Sequence, residues 1–119
     1  MVGASSNPER PSYEIMKGLL AAGYKVIPVN PTETSVLGQT AYASLEDIPE
    51  PVDIVDVFRR PEQTPEIADA AVKIGAKVLW LQTGIVSEEA ARRARDGRLA
   101  VVMDQCLGGA VARLRISKR

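Results

Sequence analysis

The sequence predicts a single doubly wound α/β domain with a parallel sheet and a truncated first strand. Three observations point there. Short apolar, β-branched runs alternate with segments of helical period, the order that right-handed crossovers turn into a parallel sheet. The runs are nearly continuous in apolar residues, as expected of strands covered on both faces. The 119 residues suffice for one domain with a sizeable core.

Each element follows from local signals. The chain opens "MVGASSNPERPSY", a hydrophobic residue running straight into a glycine turn. "PSYEIMKGLLAAG" is predicted helical, started by Pro11 and Ser12. Tyr13, Met16, Leu19 and Leu20 give it an apolar stripe, and Gly23 is its stop. "YKVIPV" reads as a strand of about five residues. "NPTETSVLGQTAYA" reads as a loop, with turn chemistry at Asn30-Pro31 and Gly38. "SLEDIP" matches a short capping box, Ser44 preceding Asp47 by three. "VDIVDVF" is the next strand. "TPEIADAAVKIGA" is a helix with Thr64 as cap, Pro65 at its first position and Gly75 as stop. "KVLWLQ" is a strand, "SEEAARRARDG" a helix capped by Ser87 and stopped by Gly97, and "LAVVMD" the last strand. A tail containing "GGAVARL" closes the chain. The helix after the opening turn needs a strand before it, yet only Met1 and Val2 are available. So short a strand is expected to leave its neighbours without backbone partners, and further residues are expected upstream in the native protein.

Composition narrows the function classes. Apolar residues make up 45% and charged residues 25%, as in ordinary globular proteins. The formal net charge of zero argues against a bulk attraction to nucleic acid. No apolar run approaches the ~20 residues of a membrane span, and no secretory signal is recognisable. One cysteine cannot form an internal disulfide, which favours a reducing, cytoplasmic setting. With no histidine, the common Cys/His zinc sites and a Ser-His-Asp triad are excluded within one chain.

Ligands of open parallel sheets bind outside the carboxyl ends of the strands. The stretches "GASSNPER", "NPT", "RRPE", "QTGI" and "DQCLGG" fall there. Gly3 permits a tight turn and close ligand approach. Ser5, Ser6 and nearby amides are donors suited to phosphate, with Arg10 and Arg59 as charge-assisted partners. The dinucleotide pattern G-x-G-x-x-G fails, because Ser5 and Pro8 stand at its second and third glycine positions. The acid expected at the end of the following strand is replaced by Asn30-Pro31. The G-x-x-x-x-G-K-[ST] phosphate loop is missing as well.

The blocks "VGASSNPERPSY", "GYKVIPVNP", "VDIVDVFRRPE", "GAKVLWLQTGI" and "VVMDQC", in this order and spacing, resemble small stand-alone CoA-binding proteins of bacteria and archaea. That family is related to the CoA-binding domain of the succinyl-CoA synthetase alpha subunit. The resemblance spans about residues 2–108 and implies a Rossmann-like fold that binds coenzyme A. It implies that Gly3, Ala4 and Ser5 lie against the phosphates, and Asn30 and Pro31 near the adenosine or pantetheine. Phe58 and Arg59 would border the cleft, as would Gln82, Thr83 and Gly84. The absence of a full first strand departs from the family pattern.

Cys106 follows the last strand into the same crevice. It is either a thiol near that of CoA or a small packing residue, and packing is the preferred reading. Asp56, inside an apolar strand, and Asp104, at a strand end, are read first as structural hydrogen-bonding groups and only second as catalytic. Trp80 is expected in the core. The arginines of "ARRARDGR" are expected on a solvated face. The resulting expectation is a CoA- or acyl-CoA-binding module without its own catalysis. Its small-molecule ligand is the expected partner, with no nucleic acid or membrane and with a protein partner left open. The alternatives are an NAD(P)-type nucleotide-binding regulatory domain and an acyl-CoA-linked enzyme acting with a partner.

Overall fold

The computed structural model describes residues 1–105. Three strands form its regular parallel sheet: β3 (Ile54–Val57), β4 (Val78–Leu81) and β5 (Ala100–Val102), in the order β3-β4-β5. Beyond β3 the sheet continues through single parallel bridges, Val57 to Val2, Val2 to Val29 and Val29 to Tyr42. Chain order therefore reverses at Val2, which lies between an earlier-wound and a later-wound half. That is the doubly wound arrangement expected from the sequence.

The opening residues are better bonded than their number suggests. Val2 donates its N–H to Asp56 O at 2.8 Å, and its carbonyl accepts from Phe58 N at 2.8 Å. On the other side Val29 N donates to Met1 O and Gly3 N to Val29 O, both at 2.9 Å. The expected loss of partners is thus corrected at residues 1–3, each of which bonds to a flanking segment.

The strand expected over "YKVIPV" reduces to the bridge at Val29. Pro28 has no N–H to give to a ladder, and its neighbours, Met1–Gly3 on one side and Tyr42 on the other, meet the segment only through single bridges at Val29. The loop that follows conceals a hairpin, β1 (Ser35–Val36) antiparallel to β2 (Gln39–Thr40). Its two turn residues, Leu37 and Gly38, both have positive φ (49° and 78°), as a type I′ turn requires. Strand β4 alternates between half-buried and buried residues, whereas β3 is buried from Val55 to Val57 and exposed only at Ile54. Ile54 is 37% exposed, and Trp80 is half-buried rather than core, its indole N–H donating to Gln105 O.

Helix α1 (Pro11–Ala21) buries Met16 and Leu19, half-buries Tyr13 and Leu20, and is ended by Gly23 at φ 94°. Helix α2 (Thr64–Lys73) is preceded by a 3-10 turn over Pro61–Gln63. Thr64 is therefore inside the helix and not its cap. Its hydroxyl donates back to Pro61 O. Helix α3 (Glu88–Asp96) has the expected cap, Ala90 N donating to Ser87 Oγ. Gly97 does not take the left-handed stop, which falls to Arg98 at φ 70°. Gly97 is needed for another reason: a Cβ there would stand 2.4 Å from Val72 Cγ2 of α2. At "SLEDIP" the Ser44 hydroxyl donates to the Asp47 carboxylate and caps no backbone N–H, so neither backbone bond of the expected capping box is formed.

Neighbouring residues divide between two cores, as the two-residue strand period demands. Val2, Val57, Leu79 and Leu81 pack with alanines of α2 and α3, small enough to let those helices lie close. Met1 and Phe58 join Met16 and Leu19 of α1 in the second core. Helices thus cover both faces of the sheet. No helix among the described residues is long and apolar enough to cross a membrane.

Candidate functional site

In open parallel sheets ligands bind outside the carboxyl ends of the strands where the strand order reverses, and here that reversal falls at Val2, next to the Gly3 turn. Gly3 has φ 89°, and an added Cβ would stand 2.2 Å from Phe58 O. The sequence reading assigned this glycine to ligand approach. The fold already demands it, because the turn passes hard against the backbone leaving β3.

The loop after Val29 is fastened to this turn. Asn30 donates Nδ2–H to Ala4 O at 2.8 Å, and its Oδ1 accepts from Thr32 N and Thr32 Oγ1. Ala4 is buried and Pro31 exposed. Ser5 Oγ accepts from Asn7 N, which shapes the descent into α1. Ser6 makes the most concentrated set of contacts. Its N–H donates to Glu33 Oε2 at 2.8 Å, and its hydroxyl lies 2.8 and 3.0 Å from the two carboxylate oxygens. These bonds, the backbone one foremost, hold the Glu33 carboxyl below the usual carboxylate range. Glu33 was not singled out from the sequence. Its only local signal is its place at the end of the Asn30-Pro31 turn, closed by Glu33 N to Asn30 O.

On the far side, Phe58 is half-buried against the α1 core and Arg59 follows it. Arg10 lies exposed just before α1. Neither arginine forms an ion pair among the described residues, so both charges on this rim are uncommitted. Gln82 is 2% exposed and hydrogen-bonds Asp56 through Nε2, so its side chain supports the sheet end from inside. Thr83 and Gly84 are exposed, and Gly84 N donates to Asp104 Oδ1 at 2.6 Å. Both aspartates therefore hold neighbouring loops, as their first reading expected. Cys106 lies outside the described residues.

Asp56 is 4% exposed, and its Oδ2 has no hydrogen-bond partner among the described residues. Burial pushes its carboxyl up to about 6. The Gln82 bond and the charge of the neighbouring Met1 amino group act the other way. No cluster able to hold a metal ion occurs among the described residues.

Comparison with known proteins agrees with this architecture. A family described as a CoA binding domain matches residues 1–112. The uncharacterized protein YneT of Bacillus subtilis is 44% identical over 107 residues, covering 90% of this chain and 79% of its own. A hypothetical protein from Pyrococcus horikoshii superposes with a TM-score of 0.94 at 42% identity, covering 97% of this chain and 81% of that one. The alpha subunit of an ADP-forming acetate–CoA ligase from Pyrococcus furiosus is 34% identical over 101 residues, 81% of this chain. The chain spans only 22% of that subunit's length. With its residues 1–112 matched by that family, the chain belongs to the CoA-binding-domain family.

Proposed function

We propose that this domain binds coenzyme A or an acyl-CoA in the crevice at the carboxyl end of the sheet, as a binding module rather than a catalyst. The observation that carries the reading is the reversal of strand order at Val2, which sets the Gly3–Ser6 turn at the mouth of the crevice. Turn amides and hydroxyls suit the pyrophosphate, and Arg10 and Arg59 supply uncommitted positive charge for phosphate groups. Phe58 offers an apolar edge, and Thr83 and Gly84 line the opposite loop. A role without chemistry is favoured by the side chains themselves. The chain has no histidine, and Asp56 and Asp104 are committed to Gln82 and Gly84. Catalysis needs an acid, base or nucleophile set towards a substrate. The likeness to an acetate–CoA ligase alpha subunit favours a partner chain as the source of any such group.

Titration calorimetry with CoA and with NAD separates this reading from a dinucleotide site. CoA is expected to bind at least about tenfold more tightly, a preference of roughly 1.4 kcal/mol. The extra 3′-phosphate and the missing ribose-binding acid both favour it. Tighter binding of NAD would overturn the proposal.

A further inference from the structure

The turn proposed for phosphate already carries an anion of the protein's own. Both donors of Ser6 are spent on Glu33, and the loop bearing Glu33 is fixed by Asn30 to Ala4 O. The two oxygens of a carboxylate accept from an N–H and a hydroxyl much as two oxygens of a phosphate do. No arginine or lysine pairs with Glu33 among the described residues, so its charge stands at the turn without a cation.

We infer that Glu33 is an internal competitor at the crevice, a carboxylate that a ligand phosphate displaces from Ser6. The inference rests on the proposed phosphate site. The carboxylate competes for the Ser6 donors and repels an arriving phosphate. It therefore lowers affinity for weakly anchored anions, such as inorganic phosphate. A ligand held at several other points, as CoA would be by its pantetheine arm and its other phosphates, has enough further contact to displace it. Glu33 is half-buried between the exposed Thr32 and Thr34 and belongs to neither core, so its side chain can swing away without disturbing either.

The test titrates the parent, Glu33→Gln and Glu33→Ala with CoA, with pantetheine, which has no phosphate, and with inorganic pyrophosphate. Removing the charge is expected to tighten CoA and pyrophosphate roughly fivefold, the scale of one exposed charge contact, and to leave pantetheine unchanged. Unfolding curves of the variants should match the parent's, and the Ser6 amide resonance should move in both variants without ligand. Equal or weaker CoA binding by the variants, with the parent still binding CoA, overturns the inference and leaves the CoA reading intact. If no protein binds CoA but the variants bind pyrophosphate more tightly than the parent, the role of Glu33 stands and the CoA reading falls. If none binds any of the three ligands, both fall.

Discussion

Gly3→Ala is expected to cost the domain about 3 kcal/mol or more and to lower its unfolding temperature by about 10 °C or more. Two penalties combine. At φ 89° an L side chain is strained whatever the surrounding space. The added Cβ would also stand 2.2 Å from Phe58 O, and that atom is backbone, so no rotamer change relieves the contact. To make room, Phe58 would have to move, yet its N–H is bonded to Val2 O and its ring packs with the α1 core. The damage therefore falls on the joint between Val2 and β3, the same joint that sets the crevice. Thermal unfolding of the parent and the variant measures it. A melting temperature within about 2 °C of the parent's would mean that the turn relaxes without cost and that Gly3 is not tied to Phe58.

The second large effect is one of pH. An ionised carboxylate at Asp56 has to be buried with one oxygen unpartnered, which is costly, so the folded protein holds the proton more tightly than the unfolded chain does. A carboxyl raised from 3.8 to about 6 contributes stability that is fully present below about pH 4 and is lost as pH rises through about 6. The loss is on the order of 2–3 kcal/mol. Asp56→Asn removes this titration while keeping an oxygen to accept from Gln82. Other carboxylates titrate in the same range in both proteins, so the informative quantity is the difference between them. Relative to the variant, the parent is expected to lose about 10 °C of melting temperature between pH 4 and pH 6. Parallel curves would show that Asp56 is ionised at no cost, with solvent or a donor reaching Oδ2.

Much of the architecture was legible because it rests on local chemistry. Ser87 caps α3 and Gly23 ends α1 through their own neighbours, and the strands of the parallel sheet announce themselves as short apolar runs. What escaped depends on residues far apart in sequence. The hairpin of β1 and β2 has two residues per strand, too few for a periodicity. Gly97 looks like a helix stop, but its meaning comes from Val72, twenty-five positions earlier, while Arg98 takes the positive φ that glycine usually supplies. The strand expected near Pro28 shrinks to bridges at Val29, because Pro28 cannot donate to a ladder and the neighbours on both sides are themselves short.

The candidate site divides in the same way. Its main chain was readable, since a glycine turn after an apolar pair in a doubly wound sheet has one place to be. Its side chains were not. Asn30, expected near the adenosine or pantetheine, ties two loops together, and Gln82 reaches inward to Asp56. Glu33, which touches Ser6 across twenty-seven positions, has no signature in the local sequence. The parallel bridge between Val2 and Val29 and the Asn30 bond to Ala4 O bring the two loops side by side.

The most direct test of the central claim is a backbone amide chemical-shift titration with CoA. The account predicts saturable shifts concentrated at Gly3–Ser6, Phe58–Arg59 and Thr83–Gly84, with Ser6 among the largest as Glu33 is displaced. Helix α3, on a different part of the fold, should be left nearly unmoved. Saturable shifts confined to α3 or to the β1–β2 hairpin, or none at millimolar CoA, would contradict it.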